Sequence, residues 1–279
     1  MTDPVVVTGA SGFIGRALVV ELARRRHNVI AVAHTPQSWP AGVEGTLVKR
    51  YADLVLPDCP TVIHLAETSH QGAIEDVSHS AECVALVQSL LAQGPKRFVY
   101  ASSAVVYGDT MLHPRRPDEN PFPDSVYAMA KLACEGVALA AGGTVARLAN
   151  VYGRGMAKHS VLAEILAQIP GRAPLAIRDG RPVRDFLWID DAARGLADLA
   201  LGRAHGVFNV GTGAGTSIAD LARLALRSAG EGRRALRETH PTEQASAIVL
   251  DIETMAATVG WRPVVSLGDG VARLLQGAL

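Results

Sequence analysis

The sequence is short of several things, and each shortage closes off a class of function. It carries no surplus of charge, since 27 Lys and Arg are matched by 27 Asp and Glu. A chain without a basic excess lacks the electrostatic footprint for nucleic acid or an anionic membrane, so neither is an expected partner. It has no apolar run of about 18 residues or more, because its longest charge-free stretches are broken by Gly, Ser, Gln or Asn; a membrane span is therefore not expected. The start, Met1-Thr2-Asp3-Pro4, leads straight into Val5-Val6-Val7 with no basic segment before an apolar one, so no secretory leader is expected. Cys59, Cys83 and Cys134 lie far apart without C-x-x-C spacing, a pattern that fits a reducing cytoplasm better than a disulfide framework. There is no H-E-x-x-H and no Cys/His cluster to suggest a metal.

What is present begins with a strand, Val5–Thr8, followed by Gly9-Ala10-Ser11-Gly12-Phe13-Ile14-Gly15 and a helical stripe of Ile14, Leu18 and Leu22 that ends in Arg24-Arg25-Arg26. A basic C-terminal end suits the helix dipole. Glycines between a strand and an amphipathic helix permit a tight turn, let a pyrophosphate approach the backbone at the helix N-terminus, and let helix and strand pack closely. The second strand, Val29–Ala33, should end in a carboxylate that holds the adenosine ribose, about 20 residues past the glycines. Ala33, His34 and Thr35 stand there instead, and the first acid after them is Glu44. Nothing repels a 2′-phosphate, His34 or Thr35 could contact one, and no Arg is present to bind it. The cofactor reading is NAD(P), tilted towards NADP(H).

Strands are expected at Thr46–Tyr51, Thr61–Leu65, Arg97–Ala101 and Thr144–Leu148, with a helix over 75–93 and a loop over 109–124. The connection near Asp53 and Leu54 is too short for a long crossover helix. Further on, helices are expected from Ser160 through Gln168, at Ile189–Leu201, at Ser217–Arg227, at Asp251–Val259 and at Leu267–Gln276. Pro170–Arg184 reads as turn-rich and Val207–Val210 as a short strand. Ser217 and Asp220 stand at capping-box spacing. Alternating strands and helices imply an α/β fold, a Rossmann-type doubly wound parallel sheet with a smaller C-terminal substrate-binding lobe. The expected division is 1–150 for the dinucleotide-binding domain and 151–279 for the lobe, with the stretch around 185–212 returning to the first domain.

Ser125-Val126-Tyr127-Ala128-Met129-Ala130-Lys131 is where the chemistry is expected. On a helix, Tyr127 and Lys131 at i and i+4 share one face. An ammonium beside a phenol favours the phenolate, which brings proton transfer within reach of neutral pH. Alone, Y-x-x-x-K is a common accident; the rest of the chain gives it weight.

Eight segments, in order, resemble an extended short-chain dehydrogenase/reductase of the NAD(P)-dependent epimerase/dehydratase family: Thr8–Gly15, Ile63–Glu67, Phe98–Gly108, Tyr127–Lys131, Arg147–Gly153, Arg184–Asp191, Phe208–Gly213 and Gly260–Pro263. The resemblance implies that Ser103 hydrogen-bonds the substrate oxygen and the phenol. It makes Tyr127 the acid/base and has Lys131 bind the nicotinamide ribose. It implies that Leu65 and Ala66 line the cofactor, that Asp53 and Leu54 meet the adenine, and that Asn150 and Arg184 touch a nucleotide-sugar's phosphates. The plainer readings are a turn-forming Asn150 and an Arg184 ion-paired to a nearby acid. The chain departs from the family where dehydratases carry an Asp-Glu pair, here Ala104-Val105. It departs again at the late R-x-G-D, here His240-Pro241-Thr242-Glu243-Gln244, and at a usual Asn, here His79.

The function implied is hydride transfer at a carbinol or ketone carbon of a nucleotide-activated sugar, by a 4-epimerase or 4-ketoreductase and not a 4,6-dehydratase. The alternatives are an NADPH-dependent reductase of a small non-sugar ketone or aldehyde, and a non-catalytic NAD(P)-binding regulator. The resemblance leaves a homodimer open.

Overall fold

The computed structural model describes residues 3–67 and 77–277. Seven strands form one parallel sheet: β1 (Val5–Thr8), β2 (Val29–Ala33), β3 (Val43–Leu47), β4 (Thr61–His64), β5 (Arg97–Ser103), β6 (Thr144–Leu148) and β10 (Gly206–Val210). Their order across the sheet is β10-β6-β5-β4-β1-β2-β3. The chain therefore builds outward from β1 in one direction and then restarts at β4 in the other. That reversal leaves a crevice at the carboxyl ends of β1 and β4.

Apart from the edge strand β3, both faces of the sheet are covered, which is why strands such as β1 and β4 read as nearly unbroken apolar runs. In β1 the pleat sends Val5 and Val7 into one core with Leu18, Leu22, Leu196 and Leu199. The same pleat sends Val6 into the opposite core with Val87, Leu90, Cys134 and Ala138. The first face is closed by α1 (Phe13–Arg24) and α5 (Ile189–Leu201), the second by α2 (Val77–Leu91) and α3 (Val126–Ala140). Arg25 ties the first pair together, bonding Glu21 on its own helix at 2.7 Å and Asp198 of α5 at 2.5 Å.

A third apolar core lies among β7 (Asn150–Tyr152), α4 (Val161–Leu166), β8 (Leu175–Ile177), β9 (Val183–Trp188), α6 (Ile218–Ser228) and α8 (Leu267–Gln276). Strand β9 sits at its centre, flanked by β7, β11 (Gly215–Ser217) and β13 (Ala247–Ile248), while β8 pairs with β12 (Leu236–Glu238). A seven-residue helix, α7 (Glu253–Val259), buries Met255 against the first core. Serines cap the helices as their chemistry dictates: Ser125 accepts from Ala128 N, Ser160 from Ala163 N and Ser217 from Asp220 N.

Some expectations need correction. The third strand is Val43–Leu47, not Thr46–Tyr51, because its parallel register against β2 runs out where Leu47 faces Ala33. Tyr51–Asp53 then takes a short 3₁₀ turn. The fifth strand runs on through Ser102 and Ser103, and the helix after Ser160 stops at Leu166 rather than Gln168. The helix expected from Asp251 starts at Glu253, whose N–H is accepted by the Asp251 carboxylate at 2.9 Å. The stretch Pro170–Arg184 holds β8 and the start of β9 as well as turns.

Candidate active site

The site is assembled from four chain segments at the carboxyl edge of the sheet. The first is the glycine turn. Gly9 has φ +71, where a side chain would be strained, and an added Cβ would lie 2.8 Å from the Leu65 carbonyl. The turn after β1 thus lies directly on Leu65 and Ala66, the segment after β4. Gly15 is tighter still: a Cβ there would meet the Gly9 oxygen at 2.2 Å. Gly12 donates its N–H to that same oxygen at 2.9 Å, and Phe13 and Ile14 lean into the third core. Bare backbone is therefore packed where a pyrophosphate would approach the first turn of α1, and the cradle fits a dinucleotide.

The second segment is the end of β2. Ala33 is buried and His34 exposed. The His34 ring packs edge-on against Tyr51, with centroids 4.3 Å apart, and its Nδ1 lies 3.0 Å from the Val48 oxygen. The Tyr51 hydroxyl accepts the Gly9 N–H at 3.0 Å. Tyr51 was missed in the sequence, although it stands two residues before Asp53; it brings a hydroxyl to the first glycine where a ribose carboxylate is lacking. Leu54 is buried, while Asp53 is held by Arg50 at 2.6 Å; the hydrogen bonds from that guanidinium keep its carboxyl below the usual range.

The third and fourth segments are the end of β5 and the first turns of α3. Ser103 is half-buried, and its Oγ accepts from Val105 N at 3.4 Å as the chain enters a 3₁₀ turn, Ala104–Tyr107. Tyr127 and Lys131 share one face of α3, with the ammonium 5.7 Å from the Tyr127 ring centroid. Lys131 Nζ donates to the Ala101 oxygen at 2.8 Å and so is tied to the strand that ends in Ser103. It also lies 5.0 Å from the Tyr100 ring centroid and 2.5 Å from the Glu67 carboxylate. Burial works against this ammonium, but the Glu67 carboxylate and then the Tyr127 phenol outweigh it, and Lys131 is held above the ordinary lysine range. Next to this group His64 is fully enclosed, with Nδ1 2.7 Å from Thr8 Oγ1; burial pushes it down to about 4.

The sequence profile of the NAD dependent epimerase/dehydratase family matches residues 5–211. The chain belongs to that family. It is 30% identical to the UDP-glucose 4-epimerase of Mycolicibacterium smegmatis, over 97% of this chain and 97% of that protein. It is likewise 30% identical to the GDP-6-deoxy-D-mannose reductase of Pseudomonas aeruginosa, over 99% and 97%. Among solved structures, MoeE5 in complex with UDP-glucuronic acid and NAD superposes with a TM-score of 0.85 at 27% identity, over 100% of both chains. A dTDP-glucose 4,6-dehydratase from Streptomyces griseus also stands among the relatives.

Within this family chain, the two residues expected at a substrate's phosphates lie in the small sheet. Asn150 is exposed on β7, in register with Phe186 of β9. Arg184, two residues before Phe186, bonds Ser246 Oγ at 2.7 Å and meets the Asp109 carboxylate at 3.4 Å. The plainer reading of Arg184, an ion pair, is therefore present in the structure, and burial lowers the guanidinium from its ordinary range. Ala104 is buried and Val105 half-buried, so the positions of the dehydratase acid pair hold apolar groups. The side chain of His79 lies outside the described residues. Among the described residues no group of three or more His, Cys, Asp or Glu could hold a metal, and no helix is long and apolar enough to cross a membrane.

Proposed function

We propose that this family enzyme transfers hydride at a carbinol or ketone carbon of a nucleotide-activated sugar, as a 4-epimerase or 4-ketoreductase. The observation that carries the reading is the placement of Tyr127 and Lys131 on one face of α3, with Lys131 bonded to the strand that ends in Ser103, beside a bare-backbone cradle. The nicotinamide supplies the hydride donor and acceptor. Gly9, Gly12, Gly15, Phe13 and Ile14 hold the dinucleotide's phosphate side, Tyr51 and His34 its adenosine ribose, Asp53 and Leu54 its adenine, and Leu65 and Ala66 its inner face. Lys131 holds the nicotinamide ribose. Tyr127 Oη takes the proton of a substrate hydroxyl in oxidation and returns it to the oxygen in reduction. The Ser103 hydroxyl orients that oxygen. Residues 151–279 outside the seven-stranded sheet form the lobe that takes the sugar, with Asn150 and Arg184 towards its phosphates.

Elimination of water is not part of this reading, because Ala104 and Val105 offer no acid or base. The ribose site has no carboxylate against a 2′-phosphate and no Arg for one, so NADPH is preferred over NADH by a modest factor. The second reading, reduction of a small non-sugar ketone, is favoured by Asp109, which already engages Arg184 and would oppose a diphosphate there.

The test is turnover with a panel of UDP-glucose, a dTDP-4-keto-6-deoxy sugar, a GDP-4-keto-6-deoxy sugar and simple ketones, with NADH or NADPH followed at the nicotinamide band and epimers resolved by chromatography. Conversion of a nucleotide sugar that falls by ~10²–10⁴-fold in Tyr127→Phe, with cofactor binding kept, is the expected result. Turnover of simple ketones alone would replace the sugar reading with the second one. A 4-keto-6-deoxy product from dTDP-glucose would overturn the exclusion of dehydration.

A further inference from the structure

Glu67 takes no part in the cradle, the proton transfer or the sugar contacts assigned above, yet it lies at their centre. It follows Leu65 and Ala66 at the end of β4, and its side chain is only 14% exposed. One carboxylate oxygen lies 2.5 Å from Lys131 Nζ, and the other accepts the Tyr100 hydroxyl. An acid this enclosed is costly unless paired, and both of its oxygens have partners.

We propose that Glu67 is a positioning residue for Lys131: its carboxylate keeps the lysine ammonium charged and seated against the end of β5, ready for the nicotinamide ribose. This rests on the assignment of Lys131 to that ribose. The lysine faces a conflict that sequence alone does not reveal. Its role needs a charged, donating head group, while its 9% exposed side chain sits where water cannot solvate one. The Ala101 oxygen and the Tyr100 ring face supply partial negative charge, at 2.8 Å and 5.0 Å. Only Glu67 supplies a full one among the described neighbours. Burial is the largest influence on Lys131 and acts against its charge; Glu67 is the largest opposing one. Without the carboxylate, the strongest opposition to burial is gone.

Among the described residues, the titratable groups that face this pair are His64 on β4, Cys83 on α2, Tyr100 on β5, and Tyr127 and Cys134 on α3. Burial pushes His64 down to about 4, Cys83 up to about 11 and Cys134 up to about 12, and raises Tyr100 well above the ordinary phenol range. None of these four changes charge between about pH 6 and about pH 10. Replacing Tyr127 by Phe removes the remaining phenol, so a proton-linked difference in that window between Glu67→Gln and its parent reports the charge of Lys131.

The experiment uses the full chain in the Tyr127→Phe background and titrates NADPH and NADH by fluorescence from about pH 6 to about pH 10. With Glu67 present, affinity sets the reference, and whatever His34 and the 2′-phosphate contribute is shared by the variant. With Glu67→Gln it should match at the acid end and fall tenfold or more towards the alkaline end, as a charge-assisted hydrogen bond to the ribose is lost. Lys131→Met should bind weakly at every pH with no such limb. A Glu67→Gln profile parallel to the parent, even if uniformly weaker, would overturn the proposal and leave Glu67 a structural acid. Unchanged binding in Lys131→Met would instead sink the ribose assignment itself. Should Glu67→Gln fail to fold, the parent enzyme decides. The ¹³Cε resonance of Lys131, identified by its loss in Lys131→Met, should stay that of an ammonium past ~10.4, where an ordinary lysine is half deprotonated. Titration at or below that value would overturn the proposal as well.

Discussion

Arg147 and Glu135 are the place where the candidate site is most exposed to a single substitution. Glu135 lies one turn past Lys131 on α3, and Arg147 lies on β6, which pairs with β5. Their side chains are 1% and 4% exposed. The guanidinium grips the carboxylate with Nη2 at 2.6 Å and Nε at 3.0 Å. The carboxylate also accepts the Ser102 hydroxyl, next to Ser103, and the guanidinium carbon sits 4.6 Å from the Tyr107 ring centroid. Arg147→Met keeps much of the volume but strands a buried carboxylate, a change that typically costs ~3–5 kcal/mol. Against a domain stability of ~5–15 kcal/mol, that is a large share. Glu135→Leu/Arg147→Met removes both charges together. It leaves the unpaired Ser102 hydroxyl, ~1–3 kcal/mol, and the lost guanidinium–Tyr107 contact, about 1 kcal/mol. The double variant should therefore be no less stable than Arg147→Met, with a coupling of at least ~2 kcal/mol. Urea unfolding followed by circular dichroism gives all the values of the cycle. Additive losses, or a loss below ~1 kcal/mol in Arg147→Met, would show that the pair does not fix α3 on the sheet, and the reasoning would fail.

Gly15→Ala puts a methyl 2.2 Å from the Gly9 oxygen, and backbone cannot move aside cheaply. Cofactor affinity by fluorescence should fall more than tenfold; affinity within a factor of two would remove this contact from the cradle. His64 is neutral and enclosed when folded, with its ionisation pushed to about 4, so it charges more readily in the unfolded chain, near 6.5. Its contribution is present above pH 6.5 and lost as pH falls towards 4. The stability difference between wild type and His64→Asn should shift by roughly 3 kcal/mol across that window, and a constant difference would contradict it. His34→Asp introduces a carboxylate at an exposed strand end, free of the burial that Ala33 would impose. The proposed NADPH preference should turn into an NADH preference, each of the order of tenfold or ~1.4 kcal/mol, as read by paired titrations.

The parts of the fold that were legible in the sequence are those with enough residues to show a period or a cap. Ile189–Leu201 and Leu267–Gln276 have the expected bounds, and the glycine turn sits between the strand and helix that give it meaning. The illegible parts are short or borrowed. Strands of two or three residues, such as Ala247–Ile248 and Leu236–Glu238, exist because β9 and β8 lie beside them. In β3 the alternation is broken by Gly45, where a Cβ would strike the Trp39 indole nitrogen at 2.6 Å, so its register is set by packing. Glu67 and Tyr51 escaped notice for a related reason. Each gains its meaning from a partner far along the chain, Lys131 or Gly9, and no local pattern marks such a pairing.

Strand β10 has a consequence for how this molecule can be taken apart. It comes after two of the four strands of the small sheet have been laid down, yet it closes the far edge of the large one beside β6, and α5 just before it covers α1. The two sheets are stitched through each other like a running thread. A cut near residue 150 would bare the hydrogen-bonding edge of β6 and the apolar flank of α1 together, leaving an aggregation-prone fragment rather than a working half. The part of the chain built around β9 cannot be exchanged as a contiguous cassette; any graft from a relative has to enter and leave the chain on both sides of this strand.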